Sequence, residues 1–133
     1  DIQEGIRRLE EDTKQNTGMT FVFAVNYGSR DEIVRAVRKY TIEAIRAGKT
    51  EEEIEALTEQ AFAGYLDTAG MPDPDLVIRT SGEFRISNYL LWQSAYAEYY
   101  ITPVLWPDFT KEELLKAIDN FNSRERRFGG RKK

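Results

Sequence analysis

The feature that most constrains the fold is the alternation of short apolar, β-prone runs with segments of helical periodicity. The β-prone runs are residues 21–25, 76–78 and 98–101, and amphipathic helical patterns precede, separate and follow them. The resulting order, α-β-α-α-β-α-β-α, predicts an α/β fold with a parallel sheet flanked by helices, because parallel strands need long crossover connections. About three strands are few for such a sheet, so we expect a partial domain of a larger fold.

Three capping-box signals, each a Ser or Thr followed three residues later by a Glu, mark where helices should begin. The pairs are Ser29 with Glu32, Thr50 with Glu53, and Thr110 with Glu113. Apolar spacing then predicts helices over residues 29–48, 50–66 and 110–121, together with an N-terminal helix over 1–15 and a short helix near 89–92. These helices supply the crossovers that a parallel sheet requires.

Composition narrows the possible chemistry. The 133 residues suffice for one domain and include no cysteine and no histidine, which removes disulfides, thiol nucleophiles, zinc–thiolate sites and imidazole bases. The net charge of −4 argues against nucleic-acid binding. Apolar runs are too short for a membrane-spanning helix and there is no signal-peptide pattern, so we expect a cytoplasmic protein. Residues 124–133 carry six Lys or Arg against one Glu, forming a basic C-terminal tail that is either a solvated end or a binding element.

A polar turn after the second β-prone run carries the clearest sign of function. The run ends at Ile78, and the sequence continues Arg-Thr-Ser-Gly-Glu-Phe-Arg-Ile-Ser to Asn88. Ligands of open parallel sheets bind beyond the carboxyl ends of strands, and guanidinium groups pair bidentately with phosphate oxygens. Arg79, Arg85 and Ser87 therefore predict an anion site that suits a phosphate. Taken alone, an arginine such as Arg79 at the end of a strand more often forms a structural salt bridge than a ligand contact. An isolated strand glutamate such as Glu98 is more often a solvated residue than a metal ligand.

The same stretch resembles the signature of the cis-prenyltransferases, which in bacteria are the undecaprenyl diphosphate synthases. Four further segments resemble that family, in the right order along the chain. They are Asn26-Tyr27-Gly28-Ser29-Arg30, Ala95-Tyr96-Ala97-Glu98-Tyr99-Tyr100, Leu105-Trp106-Pro107-Asp108-Phe109 and the tail segment 124–130. The resemblance covers the chain but only the family's C-terminal half, so residues 1–133 are expected to be that half of a single domain. Phe84 departs from the family, where a polar residue is common, and we expect little effect on binding.

The resemblance implies an activity, the sequential cis-condensation of isopentenyl diphosphate onto an allylic diphosphate. Farnesyl diphosphate is the expected allylic substrate and undecaprenyl diphosphate the expected product, with Mg²⁺ as cofactor, a homodimer as the assembly, and at most peripheral membrane contact through the product. The family's catalytic aspartate and its Asp-Gly-Asn-Gly-Arg phosphate loop do not occur in this sequence. We therefore assign no catalytic residue here, and expect the isolated chain to be inactive without the N-terminal half, in cis or as a separate chain. The alternative is a non-catalytic accessory subunit or an anion-binding partner of a prenyltransferase complex.

The resemblance also implies roles for residues of the polar turn. Arg79, Arg85 and Ser87 would hold the diphosphate of isopentenyl diphosphate, and Ile86 lies between two of these contacts. Glu83 would position one of the arginines or belong to the subunit interface. A diphosphate carries several charges and needs several fixed donors, which fits this density of polar side chains.

Two further roles concern residues outside the turn. Glu98 resembles the family's magnesium-linked glutamate, and magnesium in proteins takes one or two carboxylates together with phosphate oxygens. In the tail, Arg127-Phe128-Gly129 resembles an arginine-any-glycine element that reaches the partner subunit's active site. By this resemblance Arg127 and Gly129 would contact substrate there.

Overall fold

The computed structural model describes residues 2–125, which form helices and a small sheet. The helices are α1 (Ile2–Thr13), α2 (Ser29–Arg46), α3 (Glu51–Glu55), α4 (Glu59–Ala63) and α5 (Lys111–Asn122), and a 3₁₀ turn spans Trp106–Asp108. The strands are β1 (Leu76–Arg79) and β2 (Glu98–Ile101). Helices α1, α2 and α5 follow the spans that apolar periodicity predicts, because each carries its own amphipathic pattern.

The two strands confirm the predicted α/β class. β1 and β2 are parallel neighbours, with Leu76 opposite Glu98 and Arg79 opposite Ile101. Hydrogen bonds extend the pairing at both ends, since the Glu98 N–H donates to the Asp75 carbonyl and the Thr102 N–H to the Arg79 carbonyl, each at 2.9 Å. Both strands are half-buried along their length. The carboxyl ends of the strands therefore lie together at one edge of the sheet.

The prediction of about three strands was wrong, because residues 21–25 do not pair with any strand within residues 2–125. Phe21, Val22, Phe23 and Val25 are each at least 57% exposed. A β-prone run becomes a strand only when a neighbouring strand accepts its backbone hydrogen bonds and other elements cover its side chains. In the described part of the chain neither condition is met, and the sheet has two strands.

The predicted helix over residues 50–66 is interrupted, giving the short helices α3 and α4. The Thr50–Glu53 capping box is confirmed, with Glu53 N–H donating to Thr50 Oγ1 at 3.3 Å and Thr50 N–H donating to Glu53 Oε2 at 2.8 Å. A second cap interrupts the helix, since Thr58 Oγ1 accepts from the Ala61 N–H at 3.2 Å. Residues 89–92, predicted as a short helix, form turns instead.

The hydrophobic core lies between α2 and the segment around α4. Ala36, Phe62 and Leu66 are its buried members, and the Trp92 ring packs on Phe62 with centroids 4.9 Å apart. This packing ties the segment after the polar turn to the helical layer. Within residues 2–125, each helix is too short or too polar to cross a lipid bilayer.

Candidate functional site

The polar turn predicted as an anion site leaves the carboxyl end of β1. We call residues 79–88 the anion loop. Its first turn is fixed to the segment after β2, because the Ser81 N–H donates to the Val104 carbonyl at 2.9 Å and the Gly82 N–H donates to the Thr102 carbonyl at 2.8 Å. Ser81 and Gly82 both adopt left-handed backbone, with φ of 68° and 66°. The segment that follows β2 thus holds the base of the loop, which itself continues from β1.

Two arginines of the anion loop border an apolar cavity of about 450 Å³. Of the predicted substrate contacts in the loop, Arg79, Arg85 and Ile86 line the cavity, whereas Glu83 and Ser87 are not among its lining residues. The remaining walls are aliphatic and aromatic: Val77, Ile78, Phe84, Tyr89, Tyr99 and Ile101. A cavity with apolar walls and two guanidinium groups suits an amphiphilic anion, a molecule with a phosphate head and a hydrocarbon body.

Glu83 and Ser87 lie on the same loop, next to the arginines. The Glu83 carboxylate forms an ion pair with the Arg85 guanidinium, and both side chains are substantially exposed. Ser87 is exposed and adopts left-handed backbone with φ of 53°. The loop therefore carries exposed cationic, anionic and hydroxyl groups, and the contact of Glu83 with Arg85 fits a positioning role that stays a prediction.

Glu98 lies away from the anion loop. The register places it opposite Leu76, at the amino end of β2, whereas Arg79 ends β1. Three strand residues span about 10 Å, so Glu98 and Arg79 lie at opposite ends of the sheet. The Glu98 carboxylate is paired with the Arg124 guanidinium at 2.7 Å, which also donates to the Tyr99 carbonyl at 3.0 Å.

Among the described residues, Glu98 does not belong to a group of side chains that could bind a metal ion. The part of the chain that the structure describes contains no cluster of three or more Asp, Glu, His or Cys side chains that could hold a metal ion. One carboxylate already paired with an arginine does not by itself make a magnesium site. Arg127 and Gly129, predicted to contact substrate, lie outside the described residues.

The amino end of α2 meets the far end of the anion loop. The predicted role of Ser29 as a helix cap is wrong, because α2 begins at Ser29 itself and Gly28 occupies the N-cap position. The Ser29 N–H donates to the Asn88 carbonyl and the Arg30 N–H to Asn88 Oδ1, both at 2.9 Å. In return the Leu91 N–H donates to Ser29 Oγ at 3.0 Å. Sequence analysis missed Asn88, although asparagine both caps helices and tolerates left-handed backbone.

A buried carboxylate joins α2 to the segment that follows the loop. Glu32 is 1% exposed and accepts hydrogen bonds from the Tyr27 hydroxyl, from the Asp67 N–H at 2.9 Å and from Gln93 Nε2 at 3.1 Å. Burial, and then the hydrogen bond to Glu32, raise the pKa of the Tyr27 hydroxyl. The same Gln93 amide donates to Thr68 Oγ1 at 2.9 Å. Sequence analysis read Glu32 only as part of a capping box, because its burial depends on residues far along the chain.

An ion pair on the outer side of this network fixes the same helix. Both Arg35 terminal nitrogens contact the Asp67 carboxylate, at 2.8 and 2.6 Å, and Arg35 Nε contacts Asp31 at 2.8 Å. These hydrogen bonds hold the pKa of Asp67 below its usual value. The pair is partly exposed, so its stabilisation is modest.

Comparison with known proteins relates the chain to one family. A family model described as "Putative undecaprenyl diphosphate synthase" matches residues 1–129. An isoprenyl transferase of Fusobacterium nucleatum is 57% identical over 129 residues, which cover 97% of this chain and 52% of that protein. An isoprenyl transferase of Rhizobium meliloti is 52% identical over 130 residues, covering 98% and 51%. The chain thus spans about half the length of the curated relatives it matches.

Solved structures agree with these relatives. Lavandulyl diphosphate synthase from Lavandula x intermedia, solved with dimethylallyl diphosphate, superimposes with a TM-score of 0.86 at 40% identity, covering 96% of this chain and 53% of that one. A probable undecaprenyl diphosphate synthase from Campylobacter jejuni gives a TM-score of 0.76 at 36% identity, covering 96% and 56%.

Proposed function

Because the chain belongs to the undecaprenyl diphosphate synthase family of prenyltransferases, we propose that it forms the isopentenyl diphosphate-binding part of a cis-prenyltransferase. The reaction is the sequential condensation of isopentenyl diphosphate onto an allylic diphosphate, giving a long polyprenyl diphosphate. The observation that carries the proposal is the apolar cavity bordered by Arg79 and Arg85. Its walls match a short hydrocarbon and its two guanidinium groups match a diphosphate.

The anion loop binds and orients the substrate. Arg79 and Arg85 pair with diphosphate oxygens, and the Ser87 hydroxyl, two residues beyond Arg85, donates a further hydrogen bond. Glu83 holds the Arg85 guanidinium in reach of the ligand. Ile86, which lines the cavity, packs against the isopentenyl carbons. Fixed donors of this kind place the reacting double bond without contributing the group that ionises the allylic substrate.

The rest of the enzyme lies beyond this chain in our proposal. Residues 1–133 correspond to the C-terminal half, and the catalytic aspartate and allylic-diphosphate loop belong to the other half. Two observations support this: the curated relatives are about twice as long, and the apolar run at residues 21–25 is exposed. Large exposed apolar surface marks a contact with another element. We propose a homodimer in which Arg127 and Gly129 reach the partner's site, with farnesyl diphosphate as the allylic substrate and undecaprenyl diphosphate as the product.

Fewer observations support a magnesium site than support the anion site. Glu98 offers one oxygen ligand, but its carboxylate is paired with Arg124, so the described residues do not form a magnesium site on their own. The proposed function therefore assigns no step to the metal. Glu98 as a ligand in the complete enzyme stays a prediction.

The proposal is tested by titrating the 133-residue chain with isopentenyl diphosphate and with inorganic pyrophosphate in a calorimeter. We expect isopentenyl diphosphate to bind more tightly, because only it fills the apolar cavity. Arg79→Ala and Arg85→Ala should each weaken its binding by about ten- to a hundredfold, the usual effect of losing a charge-assisted contact. Arg→Lys at either position should recover only part of the affinity, since an ammonium lacks the planar fork.

A matched control is Arg38→Ala, which removes an exposed arginine of α2 outside the anion loop. It should leave isopentenyl diphosphate binding unchanged, which separates a specific site from a general loss of positive charge. Equal affinities of the parent chain and both site variants would contradict the proposal. An equal effect of Arg38→Ala would show that the chain attracts anions without a defined site.

A further inference from the structure

We propose that Asn88 is a positioning residue for the anion loop. Asn88 caps helix α2 by accepting from Arg30, which lies 58 residues earlier in the sequence, and thereby holds Arg85 and Ser87 in the binding conformation. The inference rests on the proposed function, because it explains how the substrate loop of that function keeps its shape. It assigns a role to a residue that touches neither the cavity nor the core. Asn88 acts through its neighbours.

Capping by Asn88 satisfies the first free donors of α2. A helix leaves its first N–H groups without intrahelical acceptors, and a local Ser, Thr, Asn or Asp at the N-cap usually accepts from one of them. Here the N-cap is Gly28, which has no side-chain oxygen. The Asn88 carbonyl accepts from the Ser29 N–H and Asn88 Oδ1 accepts from the Arg30 N–H, both at 2.9 Å. Asn88 therefore supplies the acceptor oxygens that Gly28, at the N-cap position, lacks.

The backbone around Asn88 is held in a conformation that side chains disfavour. Ser87, Asn88 and Leu90 have φ of 53°, 62° and 45°, all in the left-handed region. Such a series in non-glycine residues persists only when surrounding contacts impose it. Asn88 itself makes two of the contacts with α2, by accepting from the Ser29 and Arg30 N–H groups. The conformation of Ser87, one of the proposed diphosphate ligands, is thus coupled to the cap.

Gly28 leaves the space that the cap needs. A Cβ at position 28 would lie 3.0 Å from Asn88 Nδ2, which is closer than side chains normally approach. Its φ of −149° is open to any residue, so glycine is favoured here by the close approach of Asn88 and not by backbone freedom. The close approach explains why the N-cap position carries glycine in place of a capping side chain. Gly28 and Asn88 form one complementary contact.

Two further contacts join the segment after Asn88 to the amino end of α2. The Leu91 N–H donates to Ser29 Oγ at 3.0 Å, and the Tyr27 and Tyr89 rings meet edge to face with centroids 5.7 Å apart. Both contacts are made by residues that follow Asn88, and they keep that part of the chain beside α2. Losing the Asn88 side chain should release the loop between Arg85 and Asn88 first, because the contacts after Asn88 remain.

The inference is tested with Asn88→Gly, which keeps the left-handed backbone accessible, removes the side-chain cap and adds backbone freedom at this position. We expect its affinity for isopentenyl diphosphate, measured by calorimetry on the 133-residue chain, to fall about tenfold, the effect of losing one positioned hydrogen bond. Asn88→Asp keeps an acceptor oxygen and should recover most of the affinity. In parallel, amide hydrogen exchange at Arg85–Ser87 should speed up in Asn88→Gly and stay near the parent rate in Asn88→Asp.

Thr50→Ala is the matched control, because it removes the helix cap of α3 away from the loop. It should lower thermal stability while leaving isopentenyl diphosphate binding and loop exchange unchanged. Parent-like affinity and loop exchange in Asn88→Gly would overturn the inference, as would an equal loss of affinity in Thr50→Ala. If the parent chain binds no isopentenyl diphosphate, the proposed function fails, and the exchange rates at Arg85–Ser87 alone decide the role of Asn88.

Discussion

Removing the carboxylate of Glu32 should destabilise the protein more than its place on a charged helix suggests. Glu32 is 1% exposed and accepts hydrogen bonds from the Tyr27 hydroxyl, the Asp67 N–H and the Gln93 amide. These donors come from three separate segments of the chain. Glu32→Ala therefore removes a common acceptor and a buried side chain at the same time.

The magnitude follows from how the three donors can respond. A buried donor left without an acceptor costs about 1–3 kcal/mol. Gln93 is 3% exposed and cannot regain water, and the Asp67 N–H is part-buried in its turn, so both are counted. The half-buried Tyr27 hydroxyl is left out of the count, because a hydroxyl can rotate to another acceptor. Counting two donors in full gives a loss of about 2–6 kcal/mol in the free energy of unfolding. Glu32→Gln keeps the volume and one acceptor oxygen, so its loss should be about 1–3 kcal/mol.

The measurement is urea unfolding followed by circular dichroism, in which a shift of midpoint at constant slope reports a change in stability. Gln93→Ala and the double variant complete a cycle, and a coupling of at least about 0.5 kcal/mol is expected for residues in direct contact. If Glu32→Ala is too unstable to fold, Glu32→Gln and the cycle built on it provide the result. A change below about 0.5 kcal/mol in Glu32→Gln together with zero coupling would refute the reasoning.

Three further predictions follow from the ion pairs and from the proposed division of the enzyme. Arg35 lowers the folded-state pKa of Asp67, so the stabilisation by this pair is complete above the unfolded pKa of about 3.9 and is lost as the pH falls through the folded value. In urea titrations, the stability difference between Asp67→Asn and the parent should therefore become smaller as the pH falls from about 5 to about 2. A difference that does not depend on pH would contradict this. In the complete enzyme, Glu98→Gln should weaken the dependence of turnover on Mg²⁺, and an unchanged magnesium titration would remove Glu98 as a ligand. The isolated chain should make no long prenyl products from radiolabelled isopentenyl diphosphate and farnesyl diphosphate, whereas product formation by this chain alone would show that it contains the whole active site.

Local sequence by itself determined the elements that depend on near neighbours. Helices α1, α2 and α5 follow their own apolar periodicity, and the capping box of Thr50 and Glu53 forms as its spacing predicts. The parallel class and the anion loop were also predictable, because a short apolar run ending at Ile78 places Arg79 and the polar residues after it beyond a strand. These features rest on interactions within a few residues, which a sequence pattern records directly.

Only the tertiary structure decided the features that depend on distant partners. Residues 21–25 have strong strand propensity but no pairing strand within residues 2–125, and Glu98 follows a clear strand pattern yet lies at the opposite end of the sheet from Arg79. The first turn of α2 is capped by Asn88, 58 residues away. A paired strand, the register of a sheet and a cap from a distant residue each depend on two segments that are far apart in the sequence. Neither segment alone records the geometry of the other, and that is the physical reason why sequence patterns did not determine them.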